Sequence, residues 1–121
     1  MKINIKTTTI SLTPAISEYV KKRFDSLEKF FKDDSTAICD IELAKTSNHH
    51  KNGYIFRAEI HIVAKNKNLY ASSEKEDLYS AIDSVKDEAL REVKSSNEKM
   101  RSVFRKGASK VKSILKGYRN K

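Results

Sequence analysis

Leu78, Ile82, Val85, Ala89 and Val93 recur at steps of four, three, four and four within residues 74–94. That period lines one side of an α-helix with apolar groups and predicts a helix of about five turns. Lys86, Arg91 and Lys94 fall on its polar side among Asp83, Asp87 and Glu88. A single amphipathic helix of this kind is not stable alone and needs a surface to cover. The upstream sequence supplies one. Residues 2–8 alternate Lys2, Asn4 and Lys6 against Ile3, Ile5 and Thr7, the pattern of a half-buried strand. Thr13 followed by Pro14 reads as an N-cap with proline at the first helical position. A helix is expected from there to about Lys32, burying Ile16, Val20, Phe24, Leu27 and Phe31, with Tyr19 and Phe30 beside them.

Three strands should follow. Residues 37–45 place Ala37, Cys39, Ile41 and Leu43 on one face and Ile38, Asp40, Glu42 and Ala44 on the other. A polar loop is expected over residues 46–53. Residues 54–63 put Tyr54, Phe56, Ala58, Ile60 and Ile62 inward, with Arg57, Glu59 and His61 outward. Asn66, Lys67 and Asn68 predict a tight connection into a last strand over residues 69–73. The order is β-α-β-β-β-α, an α+β fold with two amphipathic helices packed on one face of a four-stranded mixed sheet. The last three strands should be antiparallel, and the first, which crosses over through a helix, should run parallel to a neighbour that the pattern does not specify. No internal repeat or linker-like segment breaks residues 1–98, which are expected to form one domain; residues 99–121 are expected to be an extension that orders on a partner.

Composition changes this picture at two points. The net charge of +9 is segregated: nine of the 25 basic residues lie in residues 99–121 with no acidic ones, leaving 16 basic against 16 acidic residues before them. Such a block calls for a polyanionic partner, against the plainer reading of a solvated tail. The single cysteine, Cys39, excludes an intrachain disulfide and a cysteine-cluster zinc site, and its place in an alternating strand favours a buried thiol. His49 and His50 are adjacent in a polar loop without carboxylates at ligand spacing, and His61 lies on the polar face of a strand, so neither a metal nor a cofactor is expected. No phosphate loop, carboxylate pair or activated nucleophile has recognisable spacing, so the protein is read as a non-enzyme. Without an apolar run of membrane-spanning length or a secretory h-region, a cytoplasmic location is expected.

A polyanion would meet the helices' outer surfaces. Lys22 and Lys29 share a stripe on the first helix, with Lys21 and Lys32 beside it, and Lys86, Arg91 and Lys94 lie on the second helix. Lys99, Arg101, Arg105 and Lys106 begin the tail. Contacts of this kind bind phosphates and read shape. The competing reading for any one lysine is an ordinary surface ion pair with Glu18, Asp25, Glu28, Asp87 or Glu88.

The segments LTPAISEYVKKRFDSLEKFF (12–31) and LYASSEKEDLYSAID (69–83), with the strand pair from Tyr54, resemble the ribosome hibernation promoting factor family, which includes the ribosome-associated inhibitor A proteins. The resemblance covers residues 1–99, and its most specific part is Glu74, Asp77, Leu78, Tyr79, Ala81, Ile82 and Asp83. It implies a fold similar to double-stranded RNA-binding domains. It also implies a partner: the 30S subunit or 70S ribosome, bound through 16S rRNA in the channel between head and body, where mRNA and the A-site and P-site tRNAs sit. Inhibition would be steric, by a chain that is a monomer when free. Arg23, Arg91 and Lys99 match basic positions of the family. Ser17, Ser26, Glu88, Ser95 and Asn97 stand where relatives often carry lysine or arginine, so the tail is expected to compensate. With too few residues after Lys99 for the long form's dimerisation domain, a short form is expected. Two other readings stand beside this one. One is a general RNA-binding protein. The other is a membrane-surface protein inserting Val103, Phe104, Ile114 and Leu115 into anionic lipid.

Overall fold

The computed structural model describes residues 1–48, 53–65 and 67–96. The chain forms two compact units, Met1–Arg91 and Glu92–Lys121. The first contains four strands, β1 (Lys2–Thr8), β2 (Ile38–Asn48), β3 (Gly53–Ala64) and β4 (Lys67–Lys75), in the order β1-β2-β3-β4. β1 runs parallel to β2, with Ile5 opposite Ile41, while β2–β3 and β3–β4 are antiparallel. The crossover between β1 and β2 holds helix α1 (Pro14–Arg23), a helical turn α2 (Asp25–Glu28) and a 3-10 turn, Lys29–Phe31. Residues 78–96 form helix α3, whose first part, 78–91, closes the first unit.

The core is the one the alternation requires. Cys39, Ile41, Leu43, Ala58, Ile60, Ile62, Leu69 and Ala71 are buried on one sheet face, where Ile16, Val20, Phe24, Leu27, Phe31, Leu78, Ala81, Ile82, Val85 and Ala89 from the helical segments are also buried. The opposite face carries Asn4, Asp40, Glu42, Glu59, His61 and Tyr70, stitched by polar pairs such as Asn4 Nδ2 to Asp40 Oδ1 at 2.9 Å and Thr8 Oγ1 to Glu42 Oε2 at 2.7 Å. Both helices therefore lie on one side.

Several boundaries differ from the sequence expectation. The first helix does not run unbroken to Lys32: Phe24, at φ −85° and ψ 0°, separates α1 from α2. The Ser26 hydroxyl donates to the Arg23 carbonyl at 3.3 Å, the type of back-bond that bends helices. The apolar stripe survives because the Phe24 carbonyl still accepts from Leu27 and Glu28, both at 3.0 Å, keeping helical spacing across the break. The loop expected over residues 46–53 is shorter, since Thr46 pairs with Ile55 and Asn48 with Gly53. Lys67 and Asn68, expected in the connection, belong to β4, pairing with Ala64 and Val63. Glu74 and Lys75 also extend β4, opposite Arg57 and Phe56. α3 starts only after Asp77, which caps it by accepting from Ser80 N at 2.9 Å and Ser80 Oγ at 3.1 Å. It continues to residue 96.

Tyr54 is a further correction. It shares the inward parity of β3 but is 59% exposed, with Lys45 Nζ 4.3 Å from its ring centroid. The covered part of that face ends near Phe56, and Tyr54 pairs a cation at the margin.

Candidate nucleic-acid interface

The polar surfaces of α1 and α3 meet through four side chains. Tyr19 and Arg23 are one turn apart on α1, and Tyr79 and Asp83 are one turn apart on α3, so each helix offers an aromatic and a charge on adjacent turns. The Tyr19 and Tyr79 rings pack edge to face with centroids 4.6 Å apart. The Tyr19 hydroxyl lies 2.9 Å from both carboxylate oxygens of Asp83 and donates to them. Arg23 Nε lies 3.3 Å from Asp83 Oδ1, and its guanidinium carbon sits 5.0 Å from the Tyr19 ring centroid. Partial burial and then the hydrogen bond to Asp83 push the Tyr19 hydroxyl above its ordinary pKa. The contact with Tyr19 and the field of Asp83 raise Arg23 further into its charged range. The Arg23 side chain remains half exposed.

The other expected cations are placed less uniformly. Lys22 is exposed on α1. Lys29 lies 4.0 Å from Asp25 on the following turn, both widely exposed. Arg91 Nη2 donates to Glu88 Oε1 at 2.6 Å. Lys86 is not on the open face expected of it: its side chain is only 17% exposed and its Nζ lies 2.8 Å from Asp87. It follows Ile82 by four residues and precedes Ala89 by three, at the rim of the buried stripe, where a long stem covers apolar surface while its head reaches out. Asp87 also adds to the field at Arg23, so Arg23 and Lys86 are brought to one acidic pair, Asp83 and Asp87. Lys29 and Arg91 pair only within their own helical segments. Lys94 belongs to the second unit and is exposed there. Lys99, Arg101, Arg105 and Lys106, the expected tail helix and His49 and His50 lie outside the described residues.

Sequence reasoning missed the partnership of Tyr19, Tyr79 and Asp83 with Arg23. Its only trace was two tyrosines each four residues before a charge. Elsewhere, burial pushes the Cys39 thiol up to about 12, leaving it protonated and unreactive, as its strand position implied. His61 is exposed on the open sheet face, with Nε2 2.9 Å from Asn68 Oδ1. Among the described residues, no three His, Cys, Asp or Glu side chains gather as metal ligands, and no helix is long and apolar enough to cross a membrane.

This architecture defines a class of small α+β proteins whose polar chemistry is displayed on two helices over a mixed sheet. The chain belongs to the Sigma 54 modulation protein / S30EA ribosomal protein family, whose profile matches residues 3–101. It is 27% identical over 101 residues to the ribosome hibernation promoting factor of Klebsiella oxytoca, a match covering 84% of this chain and 98% of that protein. It is 27% identical over 100 residues to the ribosome hibernation promotion factor of Lactococcus lactis, covering 83% of this chain but 51% of the longer relative. The crystal structure of the Thermus thermophilus Protein Y N-terminal domain aligns with a TM-score of 0.64 at 27% identity, over 78% of this chain and 98% of that domain. A ribosomal subunit interface protein from Coxiella burnetii shares the fold, with a TM-score of 0.67 at 14% identity over 81% of this chain and 99% of that one.

Proposed function

We propose that this protein silences ribosomes by occupancy. Its folded part binds 16S rRNA phosphates in the small-subunit channel between head and body and keeps out mRNA and the A-site and P-site tRNAs. The observation that carries this reading is the nearly end-to-end match to a hibernation promoting factor. The charge distribution supports it. Residues 99–121 add nine cations and no anions to a body of balanced charge, suiting an extension that draws the protein to RNA. No bond is made or broken in this account, and no cofactor takes part.

Sucrose-gradient sedimentation with purified subunits tests it. The protein should travel with 30S particles at moderate ionic strength, and added mRNA and tRNA should displace it. Deleting residues 99–121 should weaken binding and flatten its dependence on salt. Failure to co-sediment, or stable co-occupancy with tRNA, would refute the proposal. Equal affinity for free duplex RNA at the same salt would point instead to a general RNA-binding protein.

A further inference from the structure

We infer that Asp83, although an anion on a surface meant for RNA, is a positioning residue that holds Arg23 ready to receive a phosphodiester. The inference rests on the ribosome reading above and deepens it.

An arginine recognises phosphate best when its planar fork is already oriented, because less side-chain entropy is then lost on contact. Arg23 is held in two ways. Its Nε is 3.3 Å from Asp83 Oδ1, and its guanidinium lies over the Tyr19 ring at 5.0 Å. Asp83 is itself fixed by the Tyr19 hydroxyl, 2.9 Å from both its oxygens, and Tyr19 is fixed by the edge of Tyr79 at 4.6 Å. The ion pair engages the inner nitrogen of the guanidinium. The side chain is half exposed, so its guanidinium, which carries five donors, can meet a phosphate while keeping that contact. The ion pairs formed by the other expected cations differ: Lys29 and Lys86 meet their carboxylates with their only nitrogen, and Arg91 uses a terminal one.

Simple charge counting makes the opposite prediction. Asp83→Asn raises the net charge by one and removes an anion from beside the RNA, so a bystander carboxylate would give tighter binding on neutralisation. A positioning carboxylate gives weaker binding.

The experiment is titration of 30S subunits with fluorescently labelled full-length protein across a range of KCl, using Asp83→Asn, Arg23→Lys, Arg23→Ala and the Arg23→Ala/Asp83→Asn pair. Urea unfolding confirms that each variant is folded. Asp83→Asn and Arg23→Lys should each weaken binding by about threefold to tenfold, the scale of one charge-assisted contact. Asp83→Asn should have no further effect once Arg23 is alanine. Unchanged or tighter binding by Asp83→Asn, or an equal loss in the Arg23→Ala background, overturns the inference. If the unaltered protein does not bind 30S subunits at all, the ribosome reading fails and this inference falls with it; binding without an Asp83 effect sinks the inference alone.

Discussion

Phe24 gives the sharpest test of how the first unit is held together. It sits at the break between α1 and α2, fully buried, and its backbone makes the bonds that carry the helical stripe across the break: its N–H to the Val20 carbonyl at 2.9 Å, and its carbonyl to Leu27 and Glu28 at 3.0 Å. Alanine keeps all three bonds and removes only the ring, so the loss reports packing. A fully buried phenylalanine contributes its transfer free energy together with the cost of the cavity it leaves, about 3–5 kcal/mol for Phe→Ala. Small domains have about 5–15 kcal/mol in total, so Phe24→Ala should consume a large fraction of it. Phe30, six residues on and 39% exposed, is the internal control, and its truncation should cost about 1 kcal/mol or less. Urea unfolding followed by circular dichroism reads both, the midpoint moving strongly for Phe24→Ala and slightly for Phe30→Ala at similar slope. Equal losses for the two variants would mean that the core does not pass through the helix break.

Two further outcomes follow from single side chains. Asp34 ties the turn after the first helical segments to the β3–β4 hairpin, accepting from Thr36 N at 2.9 Å and Lys65 N at 2.7 Å, and the Thr36 hydroxyl above all holds its pKa below the ordinary value. Its contribution is therefore complete above the unfolded carboxyl pKa of about 3.9 and disappears as pH falls through the lower folded value. Urea midpoints between neutral and strongly acidic pH should show less acid destabilisation in Asp34→Asn than in the unaltered protein, and parallel curves would refute this. Cys39, with its thiol pushed up to about 12 by burial, should resist a thiol-exchange reagent at mildly alkaline pH and react promptly in denaturant; rapid reaction in the native state would contradict its burial.

Hydrophobic alternation was enough to find the four described strands and both buried helical stripes, because one sheet face and one side of each helix pack into the same core. It could not find ends. Thr46 and Gly53 carry no apolar signal, yet their backbones complete the β2–β3 ladder, and Glu74 and Lys75 pair in β4 although their side chains resemble a helix start. Tyr54 shows the converse: its parity is inward, but the layer that would cover it stops short. At the candidate interface, sequence located the cations but not their partners. Lys29–Asp25 and Arg91–Glu88 are local and could be anticipated from helical spacing. Arg23–Asp83 joins residues sixty positions apart and exists only because two helices pack side by side.

That pairing bears on how a body with 16 basic and 16 acidic residues could bind RNA. At a distance such a body exerts little net pull, since exposed charges are screened beyond about 8–10 Å at physiological salt. Within it, Lys29, Lys86 and Arg91 each face a carboxylate, so a phosphate must compete with that partner for the same cation. On the proposed reading Arg23 is better placed, because its contact with Asp83 is made through the inner nitrogen and one guanidinium, with five donors, can serve a carboxylate and a phosphate together. Attraction and orientation are therefore assigned to different parts of the chain under the proposed function. Residues 99–121 supply uncompensated charge, and the Tyr19, Arg23 and Asp83 cluster supplies a fixed fork. Deleting the tail should then chiefly slow association and reduce its salt dependence, whereas Asp83→Asn should chiefly speed dissociation. Stopped-flow mixing with 30S subunits separates the two rates, and a tail deletion that changed only dissociation would break this division of labour.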